Sequence, residues 1–242
     1  MAQAERARIA FVGPRSASST HYRSFKEIIP TDVQIDFYGL ELAGQSLFDL
    51  RGKKDTIIQR AAELAEKHRW QAAVFSGAPV EVLNPGFFDA LCERFKFPIT
   101  TALEACVAAL KAYGARKLLL ITPFDEAMNR LIREHLERAQ IQTVSPAQSL
   151  SHYTDALRMS PDEVCRLAET AVRGAGDIEG IYFQGAVLDP IESIEKMEKA
   201  FRKLVIASNP AMLWCMLSIL GLTYHIQGYG KLLAEWPRLP RN

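Results

Sequence analysis

Short apolar runs alternate with longer amphipathic stretches along almost the whole chain, and few folds satisfy that pattern. Residues 8–12, 33–38, 72–75, 117–121, 142–144, 180–183 and 203–207 read as strands. Between them, residues 20–28, 54–69, 85–94, 102–113, 125–139, 161–173, 190–201 and 209–220 read as helices. In the stretch 55–69, Ile57, Ile58, Ala61, Leu64 and Ala65 recur at the three- and four-residue spacing of one buried helical face. Strands separated by helices cannot pair as hairpins. They pair in parallel, with helices covering both faces of the sheet, so the chain is expected to be α/β.

The pattern also echoes itself. The same interval separates Pro14 from Pro123 and Ser76 from Gly185, and each of these residues follows the end of an apolar run. Two similar βα halves are therefore expected, each contributing equivalent loops to a common cleft. The first half takes residues 1–100 together with a C-terminal helix, 209–242, that crosses back; the second takes residues 101–208. No Pro/Gly/Ser-rich linker divides them.

Composition narrows the functional classes. A net charge of +1 without a block of like charge gives no reason to invoke nucleic acid or an anionic membrane as partner. The stretch PAMLWCMLSILGL is too short to span a bilayer and reads as a buried helix. Cys92, Cys106, Cys165 and Cys215 form no CxxC pair and fall in helical segments, which suits buried thiols in a reducing compartment such as the cytoplasm. His21, His68, His135, His152 and His225 lack metal-ligand spacing, so no metal site is expected. No cofactor motif is present either: the loop after the first strand lacks the Walker spacing and its Lys.

In an open parallel sheet, ligands are held at the carboxyl ends of the strands. The loop GPRSASSTHYR places Pro14 and Arg15 there, Arg15 being able to grip a carboxylate with two parallel hydrogen bonds, and Ser18, Ser19 and Thr20 are suited to cap the next helix. FSGAPVEVLNPG offers the Ser76 hydroxyl and the backbone amides near Gly77 and Ala78, a set able to stabilise an oxyanion. No GxSxG elbow accompanies Ser76. Glu81 is a candidate base, with a polar residue at a helix start as the plainer alternative. In IYFQGAVLDP, Gln184, Gly185 and Ala186 end a strand, and Asp189 is either a proton carrier or a cap ahead of Pro190.

PITTALEACVAALKAYGARKLLLITPF, EGIYFQGAVLDPIESIEKMEKAF, VIASNPAMLW and GYGKLL together resemble the aspartate/glutamate racemase superfamily. The similarity is strongest to the branch of arylmalonate decarboxylase and maleate cis-trans isomerase. The resemblance implies two Rossmann-like parallel-sheet halves related by a pseudo-twofold axis, with the active-site cleft between them. It also implies cofactor-free chemistry at a carbon beside a carboxylate, with one cysteine from each half or, in the decarboxylase, one from the second half only. Laid onto this chain, the first cysteine position falls at or within one residue of Ser76, the second at Gly185, and a tyrosine that contributes to the oxyanion site at Phe124. Pro14 and Asn209 agree with the family. Homo-oligomers are common among such relatives, although no residue here points to one.

Those replacements limit the chemistry. An unassisted serine hydroxyl titrates several units above a thiol near 8.5, so Ser76 cannot replace a thiolate base. Phe124 removes a donor, a loss on the order of 3 kcal/mol of transition-state stabilisation if nothing compensates. The expectation is a cofactor-independent lyase or isomerase-type enzyme, decarboxylase- or hydratase-like, acting on a small carboxylic acid with Ser76, Glu81 and Asp189 as its acid–base groups. The alternative is a family member that binds a small carboxylate without turning it over.

Overall fold

The computed structural model describes residues 5–15, 22–44, 46–146, 153–156 and 158–240. In chain order the elements are β1 (Ala7–Gly13), α1 (Arg23–Glu27), β2 (Val33–Gly39), α2 (Lys54–His68), β3 (Ala73–Phe75), α3 (Ala78–Val82), α4 (Phe87–Arg94), β4 (Ile99–Thr101) and α5 (Ala102–Ala112). They continue as β5 (Lys117–Ile121), α6 (Glu126–Arg138), β6 (Gln142–Val144), α7 (Tyr153–Ala156), α8 (Pro161–Gly174), β7 (Gly180–Phe183), α9 (Ile194–Phe201), β8 (Leu204–Ala207), α10 (Ser208–Ile219) and α11 (Lys231–Glu235). The strands form two four-stranded sheets, ordered β2-β1-β3-β4 and β6-β5-β7-β8, and every pairing is parallel. The fold is α/β, as the alternation requires.

Burial explains why the strands read as continuous apolar runs. Ile9 to Val12 and Leu118 to Ile121 are all buried, because helices cover both faces of each sheet. Along β5 the side chains divide by the two-residue period. Leu118 and Leu120 join a core shared with Phe11, Val74 and the helices between the sheets, while Leu119 and Ile121 pack with Val164, Ala168 and Met197 on the outer face. Helix α10 is apolar all round, and every residue from Ser208 to Leu217 is buried. It packs against α5 and against β3, β4 and β8, joining the two sheets into one body. No helix among the described residues is long and apolar enough to cross a membrane.

β4 was not foreseen from the sequence. Its three residues lie directly between Phe97-Pro98 and α5, and Thr101 both ends the strand and caps the helix, its hydroxyl accepting from the Glu104 amide at 3.2 Å. A strand that shares its last residue with a helix cap leaves no turn signal. The helix expected to begin at Pro190 starts as a 3-10 turn, Ile191–Ser193, before α9. The capping residues Ser18, Ser19 and Thr20 lie outside the described residues.

The echo survives with one correction. The Ser76 amide donates to Val12 O at 2.8 Å, and the Gln184 amide donates to Ile121 O at 3.0 Å. Phe75 pairs with Val12, and Phe183 with Ile121. Ser76 is therefore equivalent to Gln184, and Gly77 to Gly185; the interval between β3 and β7 is one residue shorter than that between the two prolines. Left-handed backbone marks the true pair, with φ of +97° at Gly77 and +119° at Gly185.

Candidate active site

Strand order reverses between β1 and β3 in the first sheet and between β5 and β7 in the second, so the switch points lie at the carboxyl ends of those strands. The two glycine turns sit there, each against a proline. A Cβ on Gly77 would stand 3.5 Å from the Pro14 ring, and one on Gly185 would stand 2.7 Å and 2.9 Å from two atoms of the Pro123 ring. Pro14 is held by its carbonyl, which accepts from the amides of Leu42 and Ala43 at 3.0 and 3.1 Å. Arg15 follows it, half-buried. Ala78 is fully buried as the first residue of α3. Phe124 is buried with its ring tip 3.4 Å from the Gly185 Cβ position, and Ala186 is half-buried in the turn that follows.

The sequence reading missed Tyr22. Its phenol oxygen lies 3.4 Å from Ser76 Oγ, which also donates to Val12 O at 3.2 Å. The ring is stacked on Phe37 at 4.9 Å and edge-on to Phe11 at 5.1 Å, which fixes the direction of the hydroxyl. Burial raises the Tyr22 pKa, so the phenol stays protonated. An aromatic after a loop of small polar residues gives no chemical signal in the sequence; only the facing Ser76 reveals it.

Of the two roles weighed for Asp189, the hydrogen bonding matches the cap. Its carboxylate accepts from the Ile191 amide at 3.0 Å, as a cap would. It also lies near Ser24 of α1, and burial raises its pKa to about 6, against which the hydrogen bond from the Ile191 amide acts. Ser24 donates to Glu192 Oε1 at 3.0 Å. Tyr22 and Ser24 thus reach Ser76 on one side and the 189–192 segment on the other, and α1 links the loops after β3 and β7.

Two predicted residues lie elsewhere. Gln184 is buried, and its amide oxygen accepts from the Tyr182 hydroxyl, with Cys106 Sγ at 3.9 Å, so the side chain turns into the core. Glu81 accepts a 2.6 Å hydrogen bond from Thr101 Oγ1 and lies beside Glu104 and His135 rather than Ser76. Burial pushes its pKa up to about 7, with Thr101 opposing that shift. Asn209, in the first turn of α10, is buried, and its Oδ1 has no hydrogen-bond partner among the described residues. The cysteines stand on helices; burial raises the Cys106 thiol to about 12 and that of Cys215 to about 11, so neither is a thiolate at neutral pH.

A model of the family described as arylmalonate decarboxylase matches residues 31–233. The chain belongs to the arylmalonate decarboxylase family. It is 25% identical over 191 residues to arylmalonate decarboxylase of Bordetella bronchiseptica, an alignment that covers 75% of this chain and 80% of the relative. Its backbone resembles a glycine-to-cysteine variant of arylmalonate decarboxylase in a sulfate-associated form, with a TM-score of 0.80, 22% identity, and coverage of 93% of this chain and 99% of that one. It likewise resembles a cysteine-to-alanine variant of maleate isomerase from Pseudomonas putida S16 with maleate, with a TM-score of 0.77, 18% identity, and coverage of 95% and 98%. Both structures support the fold of this family member.

Proposed function

We propose that the chain is a lyase- or isomerase-type enzyme acting on a small carboxylic acid bound between the β1/β3 and β5/β7 loops, with hydroxyl and carboxyl groups in place of thiols. The observation that carries this reading is the Tyr22–Ser76 hydroxyl pair at a switch point, joined through α1 to Asp189. With Ser76 donating to Val12 O, its oxygen accepts from Tyr22. An arriving carboxylate offers either hydroxyl a charge-assisted acceptor in exchange for a neutral one, the stronger bond of the two. Arg15 is the natural counter-charge for that carboxylate. Asp189, with a pKa near 6, is ionised at neutral pH yet basic enough to take and return a proton through water.

The test is to incubate purified protein with substituted malonates and maleate in deuterated water, following product and deuterium incorporation by proton NMR. Consumption of at least one acid, reduced about 100-fold or more in Ser76→Ala, Tyr22→Phe or Asp189→Asn, is the expected result. Turnover equal in all the variants would refute these assignments. Glycine at both facing turns, Gly77 and Gly185, favours a second reading of binding without turnover. In that case an acid raises the melting temperature and is recovered unchanged.

A further inference from the structure

A second polar cluster lies away from these loops, on the seam between the two halves. Glu81 comes from α3, Glu104 from α5 and His135 from α6, so the cluster has no counterpart in residue spacing along the chain. One ligand atom from each lies within 4.8 Å of the others, and His135 Nε2 stands 3.6 Å from Glu104 Oε1. The three side chains line a cavity of about 330 Å³ whose wall also includes Asp89, Glu134, Lys111 and Arg138. Four carboxylates against two fixed cations leave the cavity net negative, and among the described residues neither Lys111 nor Arg138 pairs with Glu81 or Glu104.

The Glu81 side chain is only 7% exposed. One of its oxygens accepts from Thr101, and the other has no hydrogen-bond donor among the described residues. Glu81 also lines this net-negative cavity, where a cation would offset the carboxylate charges.

We propose that Glu81, Glu104 and His135 bind a divalent transition-metal cation of the Zn²⁺ class. One imidazole nitrogen with two carboxylates is a borderline donor set, which suits such ions better than Mg²⁺ or Ca²⁺. Ligand atoms sit at about 2.0–2.2 Å from Zn²⁺, so the three groups close in by about 1 Å on binding. Glu104 and His135 are half-buried and free to do so. The Thr101 hydroxyl fixes the Glu81 carboxylate from outside, as outer partners of metal ligands do. The ion would join α3, which follows directly on the Ser76-Gly77 turn, to α5 and α6.

The experiment is calorimetric titration of chelator-treated full-length protein with Zn²⁺, and separately with Mg²⁺, alongside thermal melts. The expected result is one saturable Zn²⁺ site with a raised melting temperature, no comparable response to Mg²⁺, and affinity at least about 10-fold weaker in both His135→Ala and Glu104→Gln. Circular dichroism verifies that the variants are folded; should one be unfolded, the other and the milder His135→Gln decide. No Zn²⁺ binding, or binding of the same strength in the folded variants, overturns the proposal and places any bound ion at another surface group such as Cys92.

Discussion

Replacing Gly185 and Gly77 separately by alanine tests the paired-turn geometry on which the site depends. Both glycines have backbone torsions that L-residues rarely adopt, +119° and +97°. Holding a residue in such a region costs about 1–3 kcal/mol. At Gly77 that is nearly the whole penalty, because the new Cβ meets Pro14 at 3.5 Å, an ordinary contact. At Gly185 the Cβ lands 2.7 Å and 2.9 Å from Pro123 ring atoms, and a proline ring cannot swing aside as a flexible chain end can. Overpacking of this kind adds about 1–3 kcal/mol. Gly185→Ala is thus expected to be less stable than Gly77→Ala by about 1–3 kcal/mol, or about 2–4 °C in melting temperature per kcal/mol at this chain length. Urea unfolding with linear extrapolation measures the difference, provided the slopes agree. Equal destabilisation, or greater loss at Gly77, would refute the argument. The same crowding bears on chemistry, because a thiol cannot be placed at residue 185 without moving Pro123.

The seam carboxylate also predicts a pH dependence. Burial raises the Glu81 pKa from 4.5 to about 7, so the folded state holds that proton more tightly than the unfolded chain. Its contribution is therefore fully present below about pH 4.5 and is lost as pH rises towards and through 7. Urea melts across that range should decline less steeply in Glu81→Gln than in the unmodified protein; identical slopes would contradict the assignment. Glu198 is a structural carboxylate of another kind, accepting from the amides of Val205 at 3.1 Å and Lys231 at 2.8 Å, so that it ties α9 to β8 and to the start of α11. Glu198→Ala strands two amide donors and is expected to cost about 2–4 kcal/mol by chemical denaturation, whereas Glu195→Ala, which loses only a solvent-exposed ion pair with Lys199, should change stability by less than about 0.5 kcal/mol.

The architecture was legible because buried parallel strands announce themselves as runs such as KLLLI and GIYF, whose bounds of 117–121 and 180–183 coincide with β5 and β7. The helices between them carry one apolar face each. What escaped was whatever depends on side-chain direction. Gln184 and Gly185 are adjacent in sequence, yet one turns into the core towards Cys106 while the other forms the turn against Pro123. Glu81 sits in the loop-helix segment expected of a base, but the next strand supplies Thr101 as its partner. Tyr22 carried no sequence signal, because its role is set by Ser76, a residue 54 positions away.

The internal symmetry also separates the parts of the site that shape it from those that act. Where the halves are equivalent, both use glycine turns against prolines, and a duplicated backbone yields two matching walls. The symmetry breaks at the adjoining pair, where Ser76 faces Tyr22 and Gln184 faces inward. In the proposed reaction, the groups that exchange a proton with the ligand on the first-half side are therefore hydroxyls. On the second-half side the proposed group lies farther along the loop, at Asp189. Two bases directly opposed across a substrate carbon require equivalent groups at equivalent positions, and glycine holds both of the facing positions. An offset hydroxyl pair and carboxylate suit proton delivery to one face, following loss of carbon dioxide or addition of water, better than inversion at a stereocentre. If the protein in deuterated water racemised a chiral α-substituted acid as fast as it consumed any substrate, that one-sided arrangement would be wrong.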